Sequence, residues 1–176
     1  MAKVRKIPLA GTKQYYVVDT NFLVNKFIPL AVVPTAHDQD RVTACHDWWA
    51  KIDAQLAGGK ARVYVPDVCI AESFKVLAQK YYEHKWFKTP VSYHKAKNQL
   101  IKFVTTPAKT LRSYNRNIRV HDISTNRDII VSVDRWFELI FKNRKKVQIA
   151  DLILASTAKY LMDFYDVPKG SLQIVT

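Results

Sequence analysis

Tyr15-Tyr16-Val17-Val18-Asp19-Thr20-Asn21 is a run of four aromatic or β-branched residues that stops at three polar ones. Such a run predicts a short buried strand, and the polar step after it marks the edge where the strand gives way to a turn. Working outward, 62–65 repeats the strand pattern, 118–123 predicts a third strand and 172–175 a fourth. Between them, apolar residues recur at helical spacing. The stretch 42–56 carries Trp48, Trp49, Ile52 and Leu56 and ends at Gly58-Gly59. A helix over 66–84 opens on Pro66, which the first turn of a helix accepts, and another over 92–105 stops before Pro107. Ser124-Thr125-Asn126 offers three capping residues ahead of a helix to Lys142, and 149–164 predicts the last helix. Phe22 to Phe27 begins a helix that Pro29 and Pro34 cut, so the stretch to Asp40 is expected to be irregular. Strands alternating with helices give an α/β class: a parallel sheet flanked by helices on both faces, with right-handed crossovers.

The 176 residues suffice for one domain spanning 1–176, with a basic leader over 1–14. The composition, with 4 Gly, 7 Pro and 48% hydrophobic residues, excludes disordered and collagen-like chains. Lys and Arg number 28 against 15 Asp and Glu, a net charge of +13. A charge that large opposes compaction, and a polyanion such as nucleic acid relieves it. No apolar run reaches the ~20 residues of a membrane helix, so the expected setting is the cytoplasm, without a membrane partner. Cys45 and Cys69 lack metal-ligand spacing and read as reduced core residues. The absence of a C-x-x-C pair, a Gly-rich phosphate loop and an H-E-x-x-H segment removes several large enzyme classes. The five histidines are scattered and receive no catalytic role.

Asp19, Glu72 and Asp151 stand in apolar surroundings, where a carboxylate is costly unless something compensates it. Asp19 ends the first strand, the edge at which open α/β sheets bind ligands. Glu72 shares a helical face with Val68 and Val76, and Asp151 lies in the first turn of an apolar helix. Singly, each has an ordinary explanation: a cap, a carboxylate at the rim of the core, an acid at the positive end of a helix dipole. Jointly, three acids at the tips of alternating elements suggest one pocket. Like charges there stay partly protonated unless a cation sits among them, and oxygen-only donors select Mg2+ or Mn2+.

Val17-Val18-Asp19-Thr20-Asn21-Phe22-Leu23, then Val65-Pro66 with Glu72 six residues beyond the proline, then Ala150-Asp151-Leu152-Ile153-Leu154-Ala155-Ser156-Thr157-Ala158, then Leu172 to Thr176, together resemble the PIN domain family. The resemblance runs over nearly the whole chain and implies a three-layer sandwich, with Asp19, Glu72 and Asp151 as both catalytic residues and metal ligands. It implies that Thr20, Asn21 and Thr176 support them, Thr20 and Asn21 by hydrogen bonding around the first carboxylate. The implied activity is Mg2+- or Mn2+-dependent hydrolysis of single-stranded RNA with one or two ions. Many members are toxins of toxin-antitoxin pairs, the VapC-like group, so the resemblance also implies an antitoxin protein and a homodimer as partners. The family often carries a fourth acid one or two positions past the residue matching Thr176, where this sequence stops. The expectation is therefore a truncated closing segment or a site one carboxylate short. The alternative is a catalytically weak or inactive PIN-like module that binds RNA or protein.

Between Ser73 and Arg119 there are eleven Lys or Arg and one acid, Glu83. Lys85, Lys88, Lys95, Lys97, Lys102, Arg112 and Arg116 are the candidate phosphate contacts, joined by Arg144, Lys145 and Lys146 just ahead of the Asp151 helix. Tyr81, Tyr82, Trp86, Phe87, Tyr93 and Tyr114 are interleaved with them, and rings beside cations are what single-stranded nucleic acid uses. The competing explanation is solvated helix faces over core aromatics.

Overall fold

The computed structural model describes residues 13–107, 120–142 and 148–176. Strand β1 (Gln14–Val18) leads into the short helix α1 (Thr20–Asn25), a 3-10 turn (Leu30–Val32) and the long helix α2 (Ala36–Ala57). Strand β2 (Ala61–Pro66) then runs into α3 (Asp67–Tyr82), followed by α4 (Pro90–Val104). Strand β3 (Val120–Ile123), helices α5 (Arg127–Lys142) and α6 (Ile149–Phe164), a 3-10 turn (Lys169–Ser171) and strand β4 (Leu172–Val175) follow. The predicted residues 118 and 119 of the third strand lie outside the described residues.

The strands form one parallel sheet in the order β3-β2-β1-β4. The register places Gln14, Tyr16 and Val18 on the same face as Ala61, Val63 and Val65, and Tyr15 and Val17 on the face of Arg62 and Tyr64. Tyr16, Val17, Val18, Val63 and Val65 are all buried, as expected of a sheet covered on both sides. Helix α2 covers the first face, where the Tyr16 hydroxyl donates to Gln55 Oε1 at 2.8 Å. Helix α6 packs across β1, β2 and β4 and lies against α5.

Three expectations need correction. The stretch before Asp40 is not irregular, because α2 starts at Ala36. Thr35 caps it: its hydroxyl oxygen accepts the Asp38 N–H at 3.1 Å and donates to the Asp38 carboxylate at 2.7 Å. Pro34 thus does not prevent a new helix from starting two residues later. Trp48 does not belong to the inward stripe of α2; it is 43% exposed, whereas Trp49 is 2% exposed and donates its indole N–H to the Phe22 carbonyl at 3.0 Å. Pro66, predicted to open a helix, closes β2 instead, and α3 begins at the next residue. Cys45 and Cys69 are free, buried thiols, each pushed up to about 12 chiefly by burial, which fits core residues.

Candidate active site at the carboxyl edge of the sheet

A parallel sheet brings every strand's carboxyl end to one edge, so residues far apart in sequence converge there. Asp19 follows β1 and caps α1, its carboxylate accepting the Asn21 N–H at 3.2 Å. Its own N–H donates to the Val175 carbonyl at 2.9 Å, which fixes β1 against β4 and keeps Thr176, the next residue, at this edge. Thr20 is 2% exposed, and its hydroxyl donates to Glu72 Oε2 at 2.8 Å, tying the start of α1 to α3. The polar residues after Asp19 thus divide their work. The Asn21 and Thr20 backbone amides serve Asp19, while the Thr20 side chain serves Glu72.

Burial pushes the Asp19 carboxyl above the ordinary carboxylate range; the backbone N–H groups of Asn21 and Thr20 oppose this, and the charges of Asp151 and Glu72 push it up further. The charges of Glu72 on α3 and Asp151 on α6 thus reach Asp19 at the N-cap of α1. Asp151 enters from the first turn of α6, where Oδ2 accepts the Gln148 N–H at 3.2 Å and closes a capping box. Cys69 sits beside them, its thiol acted on by Thr20, Asp19 and Glu72. Among the described residues, no three His, Cys, Asp or Glu side chains are arranged to ligate a single ion as they stand. The donor chemistry nonetheless suits a hard divalent cation: every donor is a carboxylate oxygen, and a desolvated carboxyl with two like charges nearby is what a cation relieves.

Asp67 has no place in the sequence reading, although it stands at the end of β2, directly after Pro66. Its carboxylate accepts the Thr125 N–H at 3.1 Å, the Thr125 hydroxyl, and the Val68 N–H at 2.8 Å. Burial pushes the carboxyl up, but these bonds outweigh it and hold Asp67 below the usual range. With its oxygens taken by three donors, Asp67 joins the β2–α3 turn to the β3–α5 turn. An acid in the first turn after a strand was the available signal; that its partner would be Thr125 was not legible.

The basic segment also sorts itself. Lys85, Lys88, Lys95 and Lys102 are exposed. Lys95 and Lys102, seven residues apart on α4, share one side, while Lys97 is half-buried beside the inward Ala96 and Leu100. Arg112, Arg116, Arg144, Lys145, Lys146 and Tyr114 lie outside the described residues. Lys80 is no phosphate contact: it is 8% exposed, with Nζ 3.5 Å from the centre of the Trp86 ring. Nor are the interleaved rings a platform for bases. Trp86, Phe87 and Tyr93 are buried, and Tyr81 stacks on Tyr93 at 4.5 Å, so this is core; Tyr82, 61% exposed, is the exception.

No protein-family model matches the sequence, and no curated protein matches it. Among solved structures, the chain is similar to VapBC2 from Rickettsia felis bound to a DNA fragment from their promoter. The TM-score is 0.50 at 10% identity, over 91% of this chain and 98% of that one. The fold is PIN-like. At this identity the likeness concerns the path of the backbone, which in this chain is a four-stranded parallel sheet between helices. Among the described residues, no helix is long and apolar enough to cross a membrane.

Proposed function

We propose that the chain is a metal-dependent endoribonuclease acting on single-stranded RNA, with Asp19, Glu72 and Asp151 as the residues that hold Mg2+ or Mn2+. The observation that carries this reading is the Asp19 carboxyl, raised by burial and pushed further by the charges of Asp151 and Glu72 from two other helices. When bound, such an ion supplies an activated water and neutralises charge on the scissile phosphate. The protein's part is positional. Thr20 holds Glu72, the Asn21 and Thr20 amides orient Asp19, and the capping box fixes where Asp151 enters. Lys85, Lys88, Lys95 and Lys102 are exposed cations suited to phosphates, with Lys97 a lesser contributor. In the same reading the chain is the toxin of a toxin-antitoxin pair, with an antitoxin and a second copy as partners. The similar structure, a VapBC2 complex, supports this.

A second reading, an inactive RNA- or protein-binding module, is favoured by one observation: an Asp151 oxygen is committed to its own helix cap. Two measurements separate the readings. Millimolar Mn2+ should raise the melting temperature of the intact chain, because a ligand of the native state stabilises it by mass action, and Asp151→Asn should shrink that rise. Unstructured RNA should be cut in Mn2+ by the intact chain and not by Asp19→Asn. Equal melting shifts in both proteins, with no cleavage by either, would leave the binding module.

A further inference from the structure

The sheet face that carries α6 is not covered to its edge. In the register, Tyr64 lies across from His121, and both belong to this face together with Tyr15 and Arg62. Their rings form a row across three strands: Tyr15 on Tyr64 at 6.4 Å with 14° between planes, and Tyr64 against His121 at 5.3 Å with 34°. The row ends at β3, one of the two edge strands of the described sheet. Beside it is a trough of about 470 Å³, within the size range of ligand pockets. Tyr64 and His121 line one side, Tyr160 of α6 and Tyr165 just past its end the other, with Arg62 towards the start of β2 and Asn126 beyond the end of β3. Tyr165 is 62% exposed and meets Tyr160 edge-on at 5.8 Å.

We propose that this trough is a base-stacking subsite for single-stranded nucleic acid, holding one base between His121 and the pair Tyr160 and Tyr165 while Arg62 meets an adjoining phosphate. Rings on both walls with a cation at one end are the chemistry of a nucleotide, whereas a purely apolar peptide would leave Arg62 without a role. The imidazole suits stacking. Burial, then Arg62, hold His121 below its ordinary value against the opposing charge of Asp122, and Lys13 pushes the same way, so the ring is mainly uncharged at neutral pH. The position also fits the site. Ser124 and Asn126 at one end of the trough flank Thr125, which Asp67 ties to the end of β2, so the trough reaches the edge that carries Asp19. The subsite deepens the nuclease reading by supplying a second hold on the RNA, and it rests on that reading only for the choice of nucleic acid.

The test is binding of an unstructured RNA 12-mer to the full chain in chelator, where no cleavage interferes, alongside a 12-mer with the same phosphates but no bases. His121→Ala and Tyr165→Ala should each weaken binding of the base-bearing strand by roughly 5- to 150-fold, the range for losing one stacked base. His121→Phe should restore most of it, and neither alanine variant should alter binding of the baseless strand. Arg62→Gln should lower the slope of log affinity against log salt by about 0.7, one phosphate's worth on a single strand. Should His121→Ala unfold, the exposed Tyr165 and Arg62 carry the test. Binding of both strands unchanged in Tyr165→Ala and Arg62→Gln would overturn the subsite, as would binding of the 12-mer by none of the proteins. Cleavage is scored separately in Mn2+: stacking losses with no cutting would sink the nuclease and keep the subsite, and Asp19-dependent cutting with no stacking loss the reverse.

Discussion

Thr20→Val isolates the bond that positions Glu72. Valine copies the shape of threonine, so no cavity opens at a residue that is 2% exposed, and the change reduces to the loss of one donor 2.8 Å from Glu72 Oε2. A hydrogen bond to a charged group contributes about 1.5 to 3 kcal/mol, and leaving the carboxylate oxygen short of its partner falls in the same range. For a chain of this length each kcal/mol moves the melting temperature by about 2 to 4 °C, so metal-free Thr20→Val should melt roughly 3 to 12 °C lower. The functional consequence is separate. A carboxylate whose supporting partner is removed typically loses a factor of ~10 to 100 in metal affinity or activity, which calorimetric Mn2+ titration of the folded variant would read. Thr20→Ser keeps the hydroxyl and should recover the affinity, though not all of the packing. If Thr20→Val melts with the wild type and binds Mn2+ as well, the bond does not hold Glu72, and α1 does not organise the α3 acid.

Asp19→Asn should stabilise the metal-free protein at neutral pH. The folded carboxyl is raised above its ordinary 3.8, so the native state keeps a proton that the unfolded chain has lost, and stability falls as pH rises through that window. Asparagine caps α1 equally well and carries no charge, so a melting advantage that appears above the window and vanishes below about pH 3.8 is the expected signature. Lys80→Met should also stabilise. Burial, and then Arg41, depress the ammonium from 10.5 to about 8 against the opposing Asp38. That depression costs about 3 kcal/mol at neutral pH, of which the Trp86 ring returns up to about 2. The unfolded chain holds the proton between 8 and 10.5 while the native state has lost it, so wild-type stability rises with pH there. The methionine advantage in chemical denaturation should be full below pH 8 and gone by 10.5. Reversing Lys95 and Lys102 to Glu should weaken RNA binding without regard to sequence and flatten its salt dependence by about 0.7 per lost phosphate contact, with Lys97→Glu doing less; equal effects from all three would refute the division of α4 into an outer and an inner side.

The strand order of the chemistry was legible because it is written locally. A β-branched run ending in Asp-Thr-Asn fixes a strand and its polar exit, and an acid in the first turn of an apolar helix needs no distant partner to be noticed. The parallel sheet followed from alternation alone, and it in turn requires Asp19 and the strand ends to meet at one edge. A proline reads as a break and so hides the start of α2, whereas the Thr35–Asp38 cap restarts the helix at once. What the sequence could not decide was which side of each element faces what. Lys80 and Lys95 are the same residue in the same basic segment, yet one is buried over Trp86 and the other stands in solvent. Trp86, Phe87 and Tyr93, interleaved with the lysines, are core, while Tyr15, Tyr64 and His121, distant in sequence, line up across the sheet. Periodicity reports only that a residue lies on an apolar or polar stripe of its own element. Pairing across strands and across helices, with the partner of Glu72 in Thr20 and of Asp67 in Thr125, exists only once the sheet has set the register.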